Sequence, residues 1–182
     1  MFFKLRLFTG LRGTEIFSLV HNFDKSVVKK TIITFNLEEY ADKLAVYDLE
    51  TIEIPTRKHD TKRGYVAIFP VQLVQEIEEI KSYGIKIRHE LFRRKEMFEG
   101  YAIDLSLLRK VHYNFFNDNA LKVALKVQDI PADIYRIVEF MQGRTKKDVG
   151  GRSYRANVQT AVRLYYYLFD DFVRTFPLLE VV

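Results

Sequence analysis

Residues 138–144, Val-Glu-Phe-Met-Gln-Gly-Arg, end a predicted helix, and Tyr154 follows ten residues after Arg144. Glycine is common just past the end of a helix, so Gly143 marks the predicted end. An apolar stripe at helical spacing resumes beyond Tyr154, so this stretch joins two helices. An arginine can hold a phosphodiester and a phenol can attack one. Together with Arg12, Lys62 and Arg109 upstream, Arg144 and Tyr154 form a set suited to binding and attacking a phosphodiester, although any one of them alone would mean little in a chain with 29 Lys and Arg and 11 Tyr.

The bulk composition indicates one domain inside the cell. With 182 residues, of which 48% are hydrophobic, the chain can bury a real core but does not divide comfortably into two domains, so we expect a single domain over residues 1–182. The absence of cysteine excludes disulfides, thiolate metal sites and cysteine nucleophiles, and indicates a reducing, cytoplasmic location. A mean hydropathy of -0.14 without a long apolar run excludes a membrane helix. The apolar residues 1–8 include two cations and meet Gly10 too soon for a signal peptide.

The charge balance is compatible with a polyanionic partner but does not prove one. The formal net charge is +5 and the pI is near 9.3, a modest basic excess that many soluble proteins share. The cations are clustered, however, at 25–30, 57–63, 93–95 and 144–147, where turns or helix ends are predicted. Such clusters could present cations to phosphates, or they could be ordinary solvated corners.

Helical patterns dominate the chain after residue 70. A short helix is predicted to follow the turn at Gly10, and the alternating or β-branched segments 31–35, 51–54 and 65–69 are predicted strands. Residues 57–64 have the composition of a hairpin turn. Further helices are predicted over 71–80, 85–98, 105–117, from Pro131 to Gly143, and at the C-terminus after a break at Gly150-Gly151. The predicted fold class is mainly α with a small antiparallel β-sheet near the N-terminus.

Two motifs resemble a known family. Residues 9–16, Thr-Gly-Leu-Arg-Gly-Thr-Glu-Ile, look like the first conserved box of the tyrosine recombinases. Gln142-Gly143-Arg144 with Tyr154 resembles the closing box of the integrases of spindle-shaped archaeal viruses and related archaeal plasmids. The resemblance covers essentially the whole chain. It implies the tyrosine recombinase catalytic-domain fold, and site-specific DNA cleavage and rejoining through a 3′-phosphotyrosine, without a metal or cofactor.

The resemblance assigns a role to each of five residues. Arg12, Arg109 and Arg144 would clamp the scissile phosphate, because a guanidinium can donate to two phosphate oxygens at once. Tyr154 would be the nucleophile. Lys62 would protonate the departing 5′ oxygen, since an ammonium whose pKa can fall is suited to general-acid work.

Several assignments have alternatives. Lys58 and Arg63 are close rivals of Lys62 on the predicted hairpin. Ser106 occupies the position, three residues before Arg109, where the family has His or Lys, and a serine cannot be a cation. His112 could compensate, although a single histidine there is more often structural. The interval from Arg109 to Arg144 is also longer than in the family, and an insertion near 117–119 would absorb the difference.

The expected partner is double-stranded DNA at an attachment site. The resemblance implies that the protein binds it as a homo-oligomer, a tetramer on DNA. Arg57, Arg63, Arg152 and Arg155 are candidate DNA contacts. Only eleven residues precede Arg12, so we expect the N-terminal DNA-clamping domain of the family to be missing. No membrane contact and no metal are expected, because the four histidines form no ligand pattern. The alternatives are an inactive integrase remnant that only binds DNA, and a helical interaction protein with a solvated basic surface.

Overall fold

Helices make up most of the computed structural model, which describes residues 1–54, 64–83, 96–98, 101–103, 105–127, 133–145 and 151–177, with only the backbone at 96–98, 101–103, 105 and 151–152. The helices in these ranges are α1 Phe2–Thr9, α2 Gly13–Asn22, α3 Lys25–Phe35, α4 Leu73–Ser82, α5 Leu105–Lys126, α6 Ile134–Met141 and α7 Gly151–Thr175. The strands are β1 Leu44–Asp48, β2 Val66–Pro70, β3 Glu96–Phe98 and β4 Tyr101–Ile103. This confirms the predicted class, mainly α with a small antiparallel sheet.

The sheet near the N-terminus is one antiparallel pair, with Leu44 of β1 opposite Pro70 of β2. The predicted strand at 65–69 is confirmed as β2. The predicted strand at 51–54 is wrong, because Leu49–Thr51 forms a 3₁₀ turn instead. The carboxylate of Asp48 starts that turn by accepting a hydrogen bond from the backbone N–H of Glu50 at 2.9 Å.

The predicted strand at 31–35 is also wrong, since these residues belong to α3. Asp24 caps the helix by accepting a hydrogen bond from the backbone N–H of Ser26 at 2.8 Å. Val28, Thr31 and Phe35 are buried, at three- and four-residue intervals that match one face of a helix. The β-branched composition indicated a strand, but the cap and this helical burial decided the structure.

The later helices are confirmed with different bounds. α4 corresponds to the helix predicted over 71–80, whereas the end of the helix predicted over 85–98 is strand β3, paired with β4. Residues 84–95 lie outside the described residues. α5 continues from Leu105 to Lys126, nine residues beyond the predicted end at 117, so residues 117–119 lie within a helix. α6 begins at Ile134, and Pro131 lies outside the described residues.

The core forms where α1, α5 and α7 meet. α5 contributes a buried stripe at helical spacing, and α7 contributes a second, longer one. Their aromatic side chains make edge and tilted contacts, with ring centroids 4.8 Å apart for Phe116 and Tyr165 and 5.4 Å apart for Phe8 and Phe172. This core fixes α5 against α1 and α7, and so fixes the elements that carry the predicted site. None of the helices within the described ranges has the length and apolarity to cross a membrane.

Candidate functional site

The turn between α1 and α2 places Arg12. Gly10 ends α1 with a left-handed φ of 63°, and its N–H donates to the carbonyl of Arg6 at 3.1 Å. The hydroxyl of Thr9 accepts a hydrogen bond from the N–H of Leu11 at 3.2 Å. Arg12 then lies in extended conformation directly before the first residue of α2, half-buried. The motif Thr-Gly-x-Arg is therefore a helix end, a left-handed turn and a helix start.

Glu15 holds this turn to the start of β2. Its carboxylate accepts hydrogen bonds from the backbone N–H of Arg12 at 2.7 Å and from that of Gly64 at 2.6 Å. The side chain is buried, and a buried carboxylate is stable only where such donors replace water. Glu15 thus fixes the backbone of Arg12 relative to the end of the segment that contains Lys62.

The end of α6 places Arg144. Gly143 has a φ of 60°, its N–H donates to the carbonyl of Phe140 at 2.9 Å, and the N–H of Arg144 donates to the carbonyl of Glu139 at 3.0 Å. This pair of bonds is a Schellman motif, which needs a left-handed residue at the position of Gly143. Gly143 was predicted as the helix stop, and this prediction is confirmed. The turn brings Arg144 back beside the last carbonyls of α6, where the helix dipole favours a cation.

Gln142 joins the end of α6 to α5. Its Nε2 donates to the carbonyl of Arg109 at 2.8 Å and contacts Nδ1 of His112 at 3.1 Å. In return, Nη2 of Arg109 donates to the carbonyl of Gln142 at 2.5 Å. Both Gln142 and His112 are fully buried, and a Cβ atom on Gly10 would lie only 2.5 Å from Nδ1 of His112. The turn at Gly10, the segment of α5 that contains Arg109 and His112, and Gln142 at the end of α6 are therefore in direct contact.

The charges of three other arginines act on Arg109. Burial lowers the pKa of Arg109 to about 10; Glu15 opposes this shift, whereas Arg12, Arg144 and then Arg6 lower the pKa further. Each of these groups must be close to Arg109 to act on it electrostatically. With a pKa near 10 the guanidinium is still almost fully charged at neutral pH. The three predicted arginines therefore form one cationic cluster, to which Arg6 also contributes.

His112 is a neutral core residue. Burial lowers its pKa to about 3, and the charge of Arg109 acts in the same direction. A hydrogen bond with the backbone of Phe8 opposes this shift, and Nδ1 of the ring lies 3.1 Å from Nε2 of Gln142. The ring packs 4.6 Å from that of Phe116. These properties favour the structural interpretation of His112 and argue against a proton-transfer role near pH 7.

The guanidinium of Arg144 rests against α5. Its Cζ lies 4.2 Å from the centroid of the Tyr113 ring, and its Nη1 donates to a carboxylate oxygen of Glu139 at 3.4 Å. Burial, and then the hydrogen bond with Glu139, raises the pKa of Tyr113. Arg144 is half-buried, so the cation–π contact and the ion pair orient it while part of the guanidinium stays accessible to a ligand.

Tyr154 lies in the first turn of α7 and is packed among aromatic rings. The ring centroids of Phe35, Tyr65 and Phe140 are 5.8, 6.0 and 6.0 Å from that of Tyr154. Phe140 is one turn before Arg144, so the tyrosine is packed against the helix that ends at the arginine cluster. The hydroxyl oxygen of Tyr154 is closed off from solvent.

The other predicted residues are distributed as follows. Ser106 is exposed in the first turn of α5, one turn before Arg109, and Arg155 is exposed on α7. Arg152 belongs to α7, with only its backbone described. Lys62, its rivals Lys58 and Arg63, and the candidate DNA contact Arg57 lie outside the described residues. Among the residues whose side chains are described, no group of three or more His, Asp or Glu side chains could hold a metal ion.

Three neighbours of the cluster were not singled out from sequence. Glu15 stands three residues after Arg12, which is the spacing of a helix-capping carboxylate, and this signal could have found it. Arg6 lies one helical turn before Gly10, but only a prediction of α1 would have placed it there. Gln142 was quoted as part of a motif without a role, because its contacts with α5 depend on tertiary packing.

Comparison with known proteins shows the family of the chain. The chain matches the family model of the archaeal phage integrases over residues 1–171. No curated protein and no solved structure matches it. Because the match spans nearly all of the 182 residues, the chain belongs to the archaeal phage integrase family, a family whose name refers to integration-related DNA recombination.

Proposed function

We propose that this protein is a tyrosine-type recombinase, which cuts and rejoins DNA strands at a specific site when a mobile element is integrated or excised. The observation that carries the proposal is the cluster of Arg12, Arg109 and Arg144, three arginines from distant parts of the chain, of which Arg12 and Arg144 both act electrostatically on Arg109. Proteins rarely gather half-buried cations without an anion to bind, because burial penalises each charge. The scissile phosphate of DNA is the anion that the family assignment implies.

In the proposed reaction, the phenolate oxygen of Tyr154 attacks phosphorus, and the bond from phosphorus to the 5′ oxygen breaks. The products are a 3′-phosphotyrosine and a 5′ hydroxyl, whose proton would come from Lys62. Negative charge builds up on the phosphorane oxygens, and fixed guanidiniums stabilise it. A 5′ hydroxyl of another strand then attacks the phosphotyrosine and releases the phenol, so no bond energy is lost.

Tyr154 must move before it can attack. Its hydroxyl oxygen is buried behind Phe35, Tyr65 and Phe140, where a DNA phosphate cannot reach it. Tyr154 is within the first turn of α7, and the end of a helix unwinds more readily than its middle. We therefore expect DNA binding to include a local displacement of this turn, whether the tyrosine then acts on its own protomer or on a neighbour in a tetramer.

A nicked suicide DNA substrate tests the proposal, since it traps the covalent intermediate. Wild-type protein should form a covalent complex, and Tyr154→Phe should form none. Tyr167→Phe is the matched control, because Tyr167 is exposed on the same helix, and it should react like wild type. No covalent complex with wild-type protein and duplex containing the attachment site would refute the enzyme.

The role of Arg144 can be separated from DNA affinity. Arg144→Ala should slow covalent-complex formation by about 100-fold or more, the usual effect of losing one donor to a transition-state oxyanion. Its DNA affinity should stay close to that of wild type, because many other cations contact the backbone. Arg174→Ala, which removes an exposed arginine of α7, is the control. Cleavage at the wild-type rate in Arg144→Ala would contradict the assignment.

The second candidate function is an integrase remnant that binds DNA without cutting it. Ser106 favours this alternative, because it stands exposed where the family has a cation and carries no charge at neutral pH. The remnant predicts DNA binding that weakens steeply with salt, but no covalent complex. The suicide substrate therefore separates the two functions in one experiment.

A further inference from the structure

Gln142 has no role in the proposed reaction, yet among the described residues it has two hydrogen bonds with Arg109 and a polar contact with His112. We propose that Gln142 is a positioning residue, whose buried amide fixes Arg109 and Arg144 in one arrangement so that both guanidiniums bind the same phosphate. The inference rests on the proposed function only in naming DNA as the source of that phosphate.

The hydrogen bonds run in both directions between α5 and the end of α6. Nε2 of Gln142 donates a hydrogen bond to the carbonyl of Arg109 at 2.8 Å, and Nη2 of Arg109 donates one to the carbonyl of Gln142 at 2.5 Å. The second bond turns the Arg109 side chain toward the residue that leads into Gly143 and Arg144. A change at position 142 would therefore release the side chain of Arg109 and the chain that carries Arg144 together.

His112 and Gly10 hold the amide itself in place. Nδ1 of neutral His112 lies 3.1 Å from Nε2 of Gln142, and a Cβ on Gly10 would lie 2.8 Å from the same nitrogen. The amide cannot flip, because its oxygen would then face the carbonyl oxygen of Arg109, which can only accept a hydrogen bond. Its orientation is fixed by contacts on three sides.

The amide contributes more to geometry than to stability. Its Oε1 is buried and accepts no hydrogen bond from the described residues, which is unfavourable. This penalty offsets what the two contacts of Nε2 contribute. A methionine of the same length would lose those contacts and also remove the buried oxygen, so we expect Gln142→Met to fold about as stably as wild type.

The test compares Gln142→Met with Val138→Ala. Val138 is fully buried one turn earlier on α6 and has an apolar side chain, so its truncation weakens packing without touching the hydrogen bonds. The first measurement is the urea unfolding midpoint with and without inorganic phosphate at constant ionic strength. Phosphate should raise the midpoint of wild type and of Val138→Ala by the same amount, and should raise that of Gln142→Met much less.

The second measurement is covalent-complex formation on the suicide substrate at saturating DNA. Gln142→Met should react about 100-fold more slowly than wild type, as expected for a small misplacement of catalytic groups, with unchanged DNA affinity. In an Arg109→Lys background, Gln142→Met should cause a smaller further loss than in wild type, because the part of its effect that acts through Arg109 is already gone and only the part through Arg144 remains. The proposal is overturned if Gln142→Met slows the reaction of Arg109→Lys by the same factor as it slows the reaction of wild type.

The outcomes separate this inference from the proposed function. Phosphate stabilisation that is present in wild type and lost in Gln142→Met supports the positioning role, even if wild type forms no covalent complex and the proposed enzyme fails. The proposal is overturned if phosphate stabilises Gln142→Met as much as wild type, or if it does not stabilise wild type at all. It is also overturned if Val138→Ala loses the phosphate effect, since ordinary packing would then explain the result.

Discussion

The buried His112 should make the protein sensitive to acid in a way that one substitution removes. The pKa of His112 is about 3 in the folded protein, against 6.5 for an ordinary histidine. The unfolded chain therefore binds more protons than the folded one between these two values, and stability falls as the pH falls through this window. Above about pH 6.5 His112 has no such effect, because both states are neutral.

The size of the effect follows from the two pKa values. The unfolded histidine is half protonated at pH 6.5 and almost fully protonated at pH 4.5, while the folded one stays almost unprotonated over this range. Proton linkage then gives a loss of about 2 kcal/mol in the free energy of unfolding from this residue. Other groups titrate in the same range, so the quantity to measure is the difference between wild type and a variant at each pH.

The variant is His112→Asn, whose side chain is polar like that of histidine but does not titrate. It will be less stable at every pH, because it loses the ring contacts with Phe116. Urea unfolding at half-unit steps from pH 4.5 to 7 should show that its stability falls by about 2 kcal/mol less than that of wild type on acidification. His21→Asn, at an exposed position, should run parallel to wild type. Parallel curves for His112→Asn and wild type would refute the assignment of a buried neutral ring.

Two further substitutions test the backbone of the site by urea unfolding at pH 7. Gly10→Ala should lower the free energy of unfolding by about 2 to 4 kcal/mol, because alanine is strained at a left-handed φ and its Cβ would lie 2.5 Å from Nδ1 of His112. An unchanged urea midpoint would contradict that packing. Glu15→Gln should lower the free energy of unfolding by about 2 kcal/mol, because the amide has one acceptor oxygen for the two N–H groups of Arg12 and Gly64. Stability equal to that of wild type would show that these hydrogen bonds are not needed.

The fold could be predicted from sequence where burial falls on one face of a helix. The stripes of α2, α4, α6 and α7 have this form, and their existence is confirmed. The strand β1 was missed for the opposite reason. Four of its five residues, from Leu44 to Tyr47, are buried, so the segment shows no alternation of apolar and polar residues. The neighbouring segment 51–54 does alternate, and it was mistaken for the strand.

The candidate site could be predicted from sequence only as a set of residue types. The motifs named Arg12, Arg109 and Arg144, and the electrostatic effect of Arg12 and Arg144 on Arg109 is compatible with the expected clamp. Sequence could not show that Glu15 binds the N–H of Gly64, 49 residues away, or that Gln142 reaches Arg109, 33 residues away. These contacts depend on how the helices pack, and no local pattern encodes them.

The electrostatics of the cluster explain why these supporting contacts matter. Within the described residues, one carboxylate, Glu15, raises the pKa of Arg109, while burial and three other arginines lower it. The arrangement is therefore repulsive before an anion binds, and free side chains would move apart into water. Glu15 fixes the backbone of Arg12, and the left-handed Gly143 sets the direction of the chain at Arg144, whose guanidinium also contacts Glu139 and Tyr113. The cations are therefore in position before a phosphate binds. Binding of the anion would offset the repulsion between the arginines, which the folded protein tolerates without it.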